Sequence, residues 1–244
     1  MSPSFPPEVL DLIVDHLHDE PTTLKACCVV SKSWIHRTRT HLFASVEFRA
    51  SKFPIQRWKK TFPDPSNSPA HHTRHLHVHG YSACNIAGVY GWIRAFHNLV
   101  RLRLGGPIWK YHGSLVPFYG LSPTLRSLHL KCDSPEVLDL ICSFPLLEDL
   151  ALVPPGLGSE IWNIPPTSLK LTGSLSLRGL RGICHSARRL LSLPNGLHFT
   201  KITVALDEGT QSVIDLVSRC SDTLESFDVL YYTPGMSPSV SATN

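Results

Sequence analysis

Leu99-Val100-Arg101-Leu102-Arg103-Leu104 and Leu125-Arg126-Ser127-Leu128-His129-Leu130 share one pattern, with leucine at the first, fourth and sixth positions. Their last three residues alternate apolar, polar, apolar, the period of a strand with one face buried. The same apolar-x-apolar form recurs at Leu76-His77-Val78, Leu150-Ala151-Leu152, Leu175-Ser176-Leu177, Ile202-Thr203-Val204 and Phe227-Asp228-Val229. From Leu76 onward a new start comes roughly every 25 residues, a spacing typical of a leucine-rich repeat. Leu147 and Leu224 again stand three residues ahead of their strands. So narrow a period predicts an α/β repeat architecture with a parallel sheet, one short strand per unit and a returning helix or irregular segment.

The return segments fit this reading. Ser134-Pro135-Glu136 opens a helical pattern with Val137, Leu138, Ile141 and Cys142. Ile183 to Leu193 carries Ala187, Leu190 and Leu191, and Gln211 to Cys220 carries Val213, Ile214 and Val217. Between Cys84 and Phe96 the helical pattern is interrupted by Gly88 and Gly91. Pro154 to Pro166 holds four prolines and two glycines and is expected to be loop. The period resembles degenerate leucine-rich repeats, although the asparagine that many such repeats place after the strand is absent. An ordinary α/β domain is the rival reading.

If the paired apolar residues face the core, their neighbours line the open face. These are His75, His77 and His79, then Arg101 and Arg103, then Ser127, His129 and Lys131. Asp149 and Ala151, Ser174, Ser176 and Arg178, Lys201 and Thr203, and Ser226 and Asp228 follow. The early strands are basic or histidine-bearing. The expectation is that this face recruits an acidic or phosphorylated protein segment through His77, Arg101, Arg103, His129 and Lys131, since two arginines on one strand present forked donors. A merely solvated face is the plainer alternative.

Ahead of the repeats, Phe5-Pro6-Pro7-Glu8 opens a helix, with proline suited to the first turn and Glu8 to its positive end. Val9, Leu10, Ile13, Val14 and Leu17 form its apolar stripe, and His18-Asp19-Glu20-Pro21 breaks it. A second helix is expected from Thr22, with Thr23 as an alternative cap. Leu24, Cys27, Cys28, Val29 and Val30 make it apolar nearly all round, which predicts burial. Ser31 can cap a third helix containing Trp34 and Ile35, with Arg37, Arg39 and His41 on its wetter sides.

Here the sequence resembles the F-box family, whose pattern begins with a Leu-Pro-x-Glu-type opening and ends in a Val-Cys-Lys-x-Trp-like run. The two ends read Phe5-Pro6-Pro7-Glu8 and Val30-Ser31-Lys32-Ser33-Trp34, with Phe5 for the usual leucine and Ser31 for the common cysteine. The resemblance implies that Pro6, Pro7, Val9, Ile13, Leu17, Leu24, Val30 and Trp34 belong to the segment that binds the Skp adaptor of a cullin–RING ubiquitin ligase. The residues themselves leave a second reading open, in which they fill a three-helix core. An F-box followed by such repeats is an arrangement familiar in fungal proteins.

Together these observations divide the chain into 1–48 (F-box), 49–73 (a linker with a short helix between Phe53 and Phe62, then Pro63 to Pro69), 74–232 (repeats) and 233–244 (a flexible tail). The expected function is that of a substrate-recruiting, non-catalytic adaptor. A repeat scaffold without a ligase role is an alternative, and a metal-dependent enzyme using the histidine-rich strand is another. Of the 244 residues, 42% are hydrophobic and 17% charged, as in a globular chain, and a net charge of +4 does not by itself point to nucleic acid. Arg37, Arg39, Arg49 and Lys52 carry no nucleic-acid recognition motif. The seven cysteines form no Cys-x-x-Cys pair, which favours a reducing compartment. No apolar run reaches the roughly 20 residues of a membrane helix, and no signal sequence is recognisable, so a cytoplasmic or nuclear location is expected. His75, His77 and His79 share a strand face, but three imidazoles about 7 Å apart along a straight strand fit a tetrahedral ion poorly. No metal or cofactor is expected. Nucleophile-elbow, phosphate-loop and zinc-protease motifs are absent, and Gly179-Leu180-Arg181-Gly182 is too short for a nucleotide loop.

Overall fold

The apolar pairs of the repeat do become strands, and they stack in the order in which the chain supplies them. The computed structural model describes residues 6–49, 55–79, 90–105, 115–131, 136–153, 171–178, 183–193, 197–206 and 211–231. Phe5, Lys52, Cys84, Cys132, the Pro154 to Pro166 loop, Gly179 to Gly182 and the 233–244 tail lie outside these residues. An eight-stranded, all-parallel sheet runs β1 (Ser45–Arg49), β2 (His75–His79), β3 (Arg101–Gly105), β4 (Ser127–Lys131), β5 (Asp149–Leu152), β6 (Leu171–Leu177), β7 (Leu197–Leu206) and β8 (Ser226–Tyr231). Every strand pairs with the next in sequence.

The register matches the period. Leu76 opposes Leu102, which opposes Leu128, and the row continues through Leu150, Leu175 and Ile202 to Phe227. Two positions along each strand, a parallel row joins Val78, Leu104, Leu130, Leu152, Leu177, Val204 and Val229. From Leu76 to Val204 these side chains are buried, so the strands present alternate faces to core and solvent as the pattern predicts. Each fully buried leucine contributes about 1.5–3 kcal/mol over an exposed one.

An eighth unit precedes the seven. Val46 and Phe48 on β1 pair with Leu76 and Val78 and are buried. The strand therefore begins inside the segment read as 1–48. Residues 55–73 are not a free spacer either. Helix α4 (Ile55–Thr61) buries Ile55 and Trp58, and the 3-10 turn Pro69–His72 buries Ala70. Trp58 packs against Phe48, Phe62 and Phe96 at ring-centroid distances of 5.6, 4.9 and 5.7 Å. Such aromatic packing closes the β1 end of the core.

The remaining helices are short. Helix α5 (Tyr90–Ile93) lies within the weak Cys84 to Phe96 pattern, whose residues 84–89 lie outside the described ones. Helix α6 (Val137–Cys142) buries Val137, Leu138, Leu140 and Ile141. Helices α7 (Ile183–Leu191) and α8 (Gln211–Arg219) pack on one another and on β7. Ile214 departs from the expected stripe. It is half exposed, while Ser212, Val213 and Leu216 face inward.

Successive units are tied at their strand starts. The N–H groups of Arg74 and His75 both donate to the Ala44 carbonyl, those of Val100 and Arg101 to Arg74, and those of Arg126 and Ser127 to Val100. Side chains add a second set of links. Asn98 Nδ2 donates to the His71 carbonyl, Ser122 Oγ and Thr124 Oγ1 to Leu99, Thr200 Oγ1 to Gly173 and Thr223 Oγ1 to Phe199. Backbone acceptors that a repeat edge would otherwise leave unpaired are thus satisfied.

The N-terminal helices are α1 (Pro7–His16), α2 (Pro21–Val30) and α3 (Lys32–Leu42). Proline occupies the first turn of α1 as expected. It also opens α2, which starts at Pro21 rather than at Thr22, with Glu20 preceding it and accepting from Thr23 Oγ1. Pro21 has no N–H to leave unpaired at this position, so no Thr22 cap is needed. Ser31 caps α3 by accepting from Ser33 N. Both α1 and α2 pack on α3, and α3 packs on the Pro69–His72 turn.

Candidate functional site

Two surfaces stand out. On the first, the helical unit of α1 to α3, the residues that resemble the adaptor-binding set fall into two groups. Leu24 is 1% exposed and sits with Val14 and Cys27 in the small helical core. Leu17 and Trp34 are partly buried. Pro6, Pro7, Val9, Ile13 and Val30 reach solvent, Val9 at 38%, Ile13 at 42% and Val30 at 71%. Leu12 and Val29 are more exposed than Ile13, and the sequence reading did not select them.

Helix α2 is therefore not buried all round. Its apolar residues divide between a core side and a solvent side, and periodicity alone cannot separate these in a helix apolar on every face. The division also settles Val9, Leu10 and Val14 on α1. Val14 is core, Leu10 is partly buried and Val9 is open.

An electrostatic clasp fixes α1 on α3. Arg37 binds the Asp15 carboxylate through two nitrogens, and His41 Nε2 lies 2.7 Å from Asp15 Oδ1. These hydrogen bonds, that from Arg37 foremost, hold the Asp15 carboxyl well below the usual carboxylate range. Sequence reading placed Arg37 and His41 on the wetter sides of α3. They are partly buried and engaged.

The second surface is the open face of the sheet. One row crosses it as Glu47, His77, Arg103, His129, Ala151, Ser176, Thr203 and Asp228 on consecutive strands. The next row passes from Ser45 through His75, Arg101, Ser127 and Asp149. Arg49, His79, Gly105 and Lys131 are aligned at the C-terminal ends of β1 to β4. Neighbouring strands are about 4.8 Å apart. The structure thus brings His77, Arg103 and His129 side by side, flanked by Arg101 and Lys131.

The acids on this face are already engaged. Glu47 Oε1 lies 2.8 Å from both Arg49 Nε and His77 Nδ1, and the hydrogen bond from Arg49 leads in keeping its carboxyl below the ordinary value. Asp149 accepts from Ser174 Oγ, and Asp228 lies 3.3 Å from Lys201 Nζ. Arg101, Arg103 and Lys131 make no ion pair with any described residue. Burial, then Arg103, then His77, Arg178 and Lys131 push the His129 imidazole down to about 4. Burial and Arg103 lower His77 against the opposing pull of Glu47. Strands β2 to β4 therefore carry positive charge without an acid partner among the described residues, an arrangement that favours an incoming anion.

Among the described residues, no three His, Cys, Asp or Glu side chains are grouped to hold a metal ion. The His77 and His79 rings are 5.7 Å apart. Cys27, Cys28 and Cys220 are free thiols. No helix among the described residues is long and apolar enough to cross a membrane. A scan of protein-family models, a search of curated proteins and a search of solved structures each returned no match to this chain.

Proposed function

We propose that the chain is a substrate-recruiting adaptor subunit of a Skp–cullin–F-box ubiquitin ligase. In this reading α1 to α3 form the F-box, and the eight stacked units form an irregular leucine-rich-repeat solenoid. The observation that carries the proposal is the solvent-facing apolar set Val9, Leu12, Ile13, Val29 and Val30. It lies on a helical unit whose own core is already filled by Val14, Leu24 and Cys27. Large exposed apolar side chains on a small unit suit a protein contact, and a few desolvated anchors supply most of an interface's energy.

The repeats would hold the target. Sequential parallel pairing and the polar links between units support the solenoid reading, and Arg101, Arg103 and Lys131, without an acid partner among the described residues, support an acidic or phosphorylated target. The chain would then act by proximity, raising the effective concentration of the target near the ubiquitin-transfer machinery, with no chemistry of its own.

Affinity purification with mass spectrometry, with and without proteasome inhibition, is the direct experiment. A Skp-type adaptor and a cullin should co-purify, and a target should accumulate on the chain when the proteasome is blocked. Arg101→Ala with Arg103→Ala should release that target and leave the adaptor bound. A folded chain that captures no Skp-type adaptor would exclude the ligase role. Undiminished target capture by the arginine variant would exclude the open face as the recruiting surface.

A further inference from the structure

A separate cleft lies where the helical unit meets the sheet. Its volume is about 410 Å³, within the range of small-ligand sites. Thr40 of α3 forms one wall, His71 and His72 of the 3-10 turn another, and Arg74, Asn98 and Thr124 from the approaches to β2, β3 and β4 the rest. Among the described lining residues there is no carboxylate.

The lining side chains are held in place. Asn98 uses one amide hydrogen on the His71 carbonyl and keeps a second, and Thr124 is anchored on the Leu99 carbonyl. His71 Nδ1 is 2.9 Å from the Ser68 carbonyl, which leaves Nε2 open. His72 Nδ1 sits 3.4 Å from Thr40 Oγ1, and its ring lies 3.9 Å from that of His71 and 5.3 Å from that of His36. The Arg74 guanidinium makes no ion pair with a described residue. The backbone around it is occupied, since the Arg74 and Val100 carbonyls each accept two N–H groups of the next unit. Burial foremost, then His71, His36 and Arg39, hold His72 down to about 4.

We propose that this cleft is a binding site for a tetrahedral oxyanion of the phosphate-monoester class, with Arg74 as its charged anchor, the second Asn98 amide hydrogen as its neutral donor, and the His71 and His72 rings as its walls. A guanidinium fork suits two phosphate oxygens at once. Because α3 and three strand starts meet here, the bound anion would join the helical unit to the sheet and stabilise both by linkage. The site is distinct from the open face of the sheet and does not depend on the ligase reading.

The test uses the full chain and two probes, inorganic phosphate and N-acetyl-phosphoserine amide, titrated against chloride at constant ionic strength. Histidine ring signals in NMR and the thermal midpoint are followed together. The expected result is a saturable shift of the His71 and His72 signals with a rise in midpoint. Affinity should fall at least tenfold in Arg74→Gln and in Asn98→Ala and should be unchanged in Arg103→Gln. Binding of both probes admits a phosphorylated side chain, whereas binding of phosphate alone restricts the site to small free anions. The assignment is overturned if chloride and phosphate act alike, if the shift does not saturate, or if both cleft variants bind as the unaltered chain does.

Discussion

Replacing Ile13 and Val30 together by alanine separates a docking surface from a core. Complete burial of such a side chain is worth about 1.5–3 kcal/mol. Ile13 is 42% exposed and Val30 71% exposed, so each is already covered in part by its own chain. Only the exposed parts remain for a partner, about 1 kcal/mol at each position by the same scale. The pair should therefore weaken adaptor binding by about 2 kcal/mol, or roughly 30-fold. Folding should be spared, because neither side chain belongs to the helical core. Leu24→Ala should do the opposite. At 1% exposure it leaves a cavity costing about 2–5 kcal/mol of stability, and any loss of binding follows from the damaged unit. Titration calorimetry against a purified Skp-type adaptor gives the first number and urea unfolding the second. An Ile13/Val30 variant that binds within threefold of the unaltered chain would refute the reasoning. So would one that loses as much stability as Leu24→Ala.

Gly173 is the second test. Its φ is +80°, and an added Cβ would lie 2.1 Å from the Glu148 carbonyl oxygen, which accepts from Ser174 N at 2.7 Å. The left-handed backbone costs a side chain about 1–2 kcal/mol and the strained hydrogen bond about 1, against a gain of about 0.4–1 from a stiffer unfolded chain. Gly173→Ala should lower the thermal midpoint by about 4–8 °C, and an unchanged midpoint would contradict the register shift seen at Gly173 and Ser174. Asp15 supplies a pH prediction. Its folded carboxyl is depressed, so the clasp contributes fully above its ordinary value near 4 and is lost as the pH falls below that. Asp15 is one-third exposed, so the contribution is about 1 kcal/mol, and Asp15→Asn should lower stability by that amount at pH 7 with the difference vanishing in strong acid. His129 tests the open face. An anion beside its depressed imidazole raises it from about 4 towards the ordinary 6.5, so binding takes up protons. Affinity for an Asp- and Glu-rich peptide should rise between pH 7.5 and 5.5, and His129→Asn should flatten that slope.

The repeat was legible because it is written in local alternation. Leu102, Leu128 and Leu150 are spaced by one unit and oppose one another in the sheet, and the polar neighbours His77, Arg103 and His129 appear on the open face as alternation requires. The first unit was harder to see. Val46-Glu47-Phe48 has the same form, with Phe43 three residues ahead, but its distance from Leu76 exceeds the period of the later units, and a helix runs almost up to it. Glu47, which pairs with His77, was missed with that strand. The Arg74 cleft had no sequence signal, because its residues come from four separate segments.

Sequence by itself determined the α/β class, the spacing between strands and the side of each strand that meets the core. These follow from the two-residue period of a strand and the apolar demand of a single buried face. Only the tertiary structure decided which apolar residues of α1 and α2 remain open. Leu24 and Val30 are both strongly apolar in the sequence, yet contact with α3 buries one and leaves the other in solvent. It also decided which charges are spent. Asp15, Glu47 and Asp228 find cations through packing across helices and strands, while Arg101, Arg103 and Lys131 are left without acids among the described residues. Pairing of charges depends on distances across strands and helices, and those distances exist only once the chain has folded.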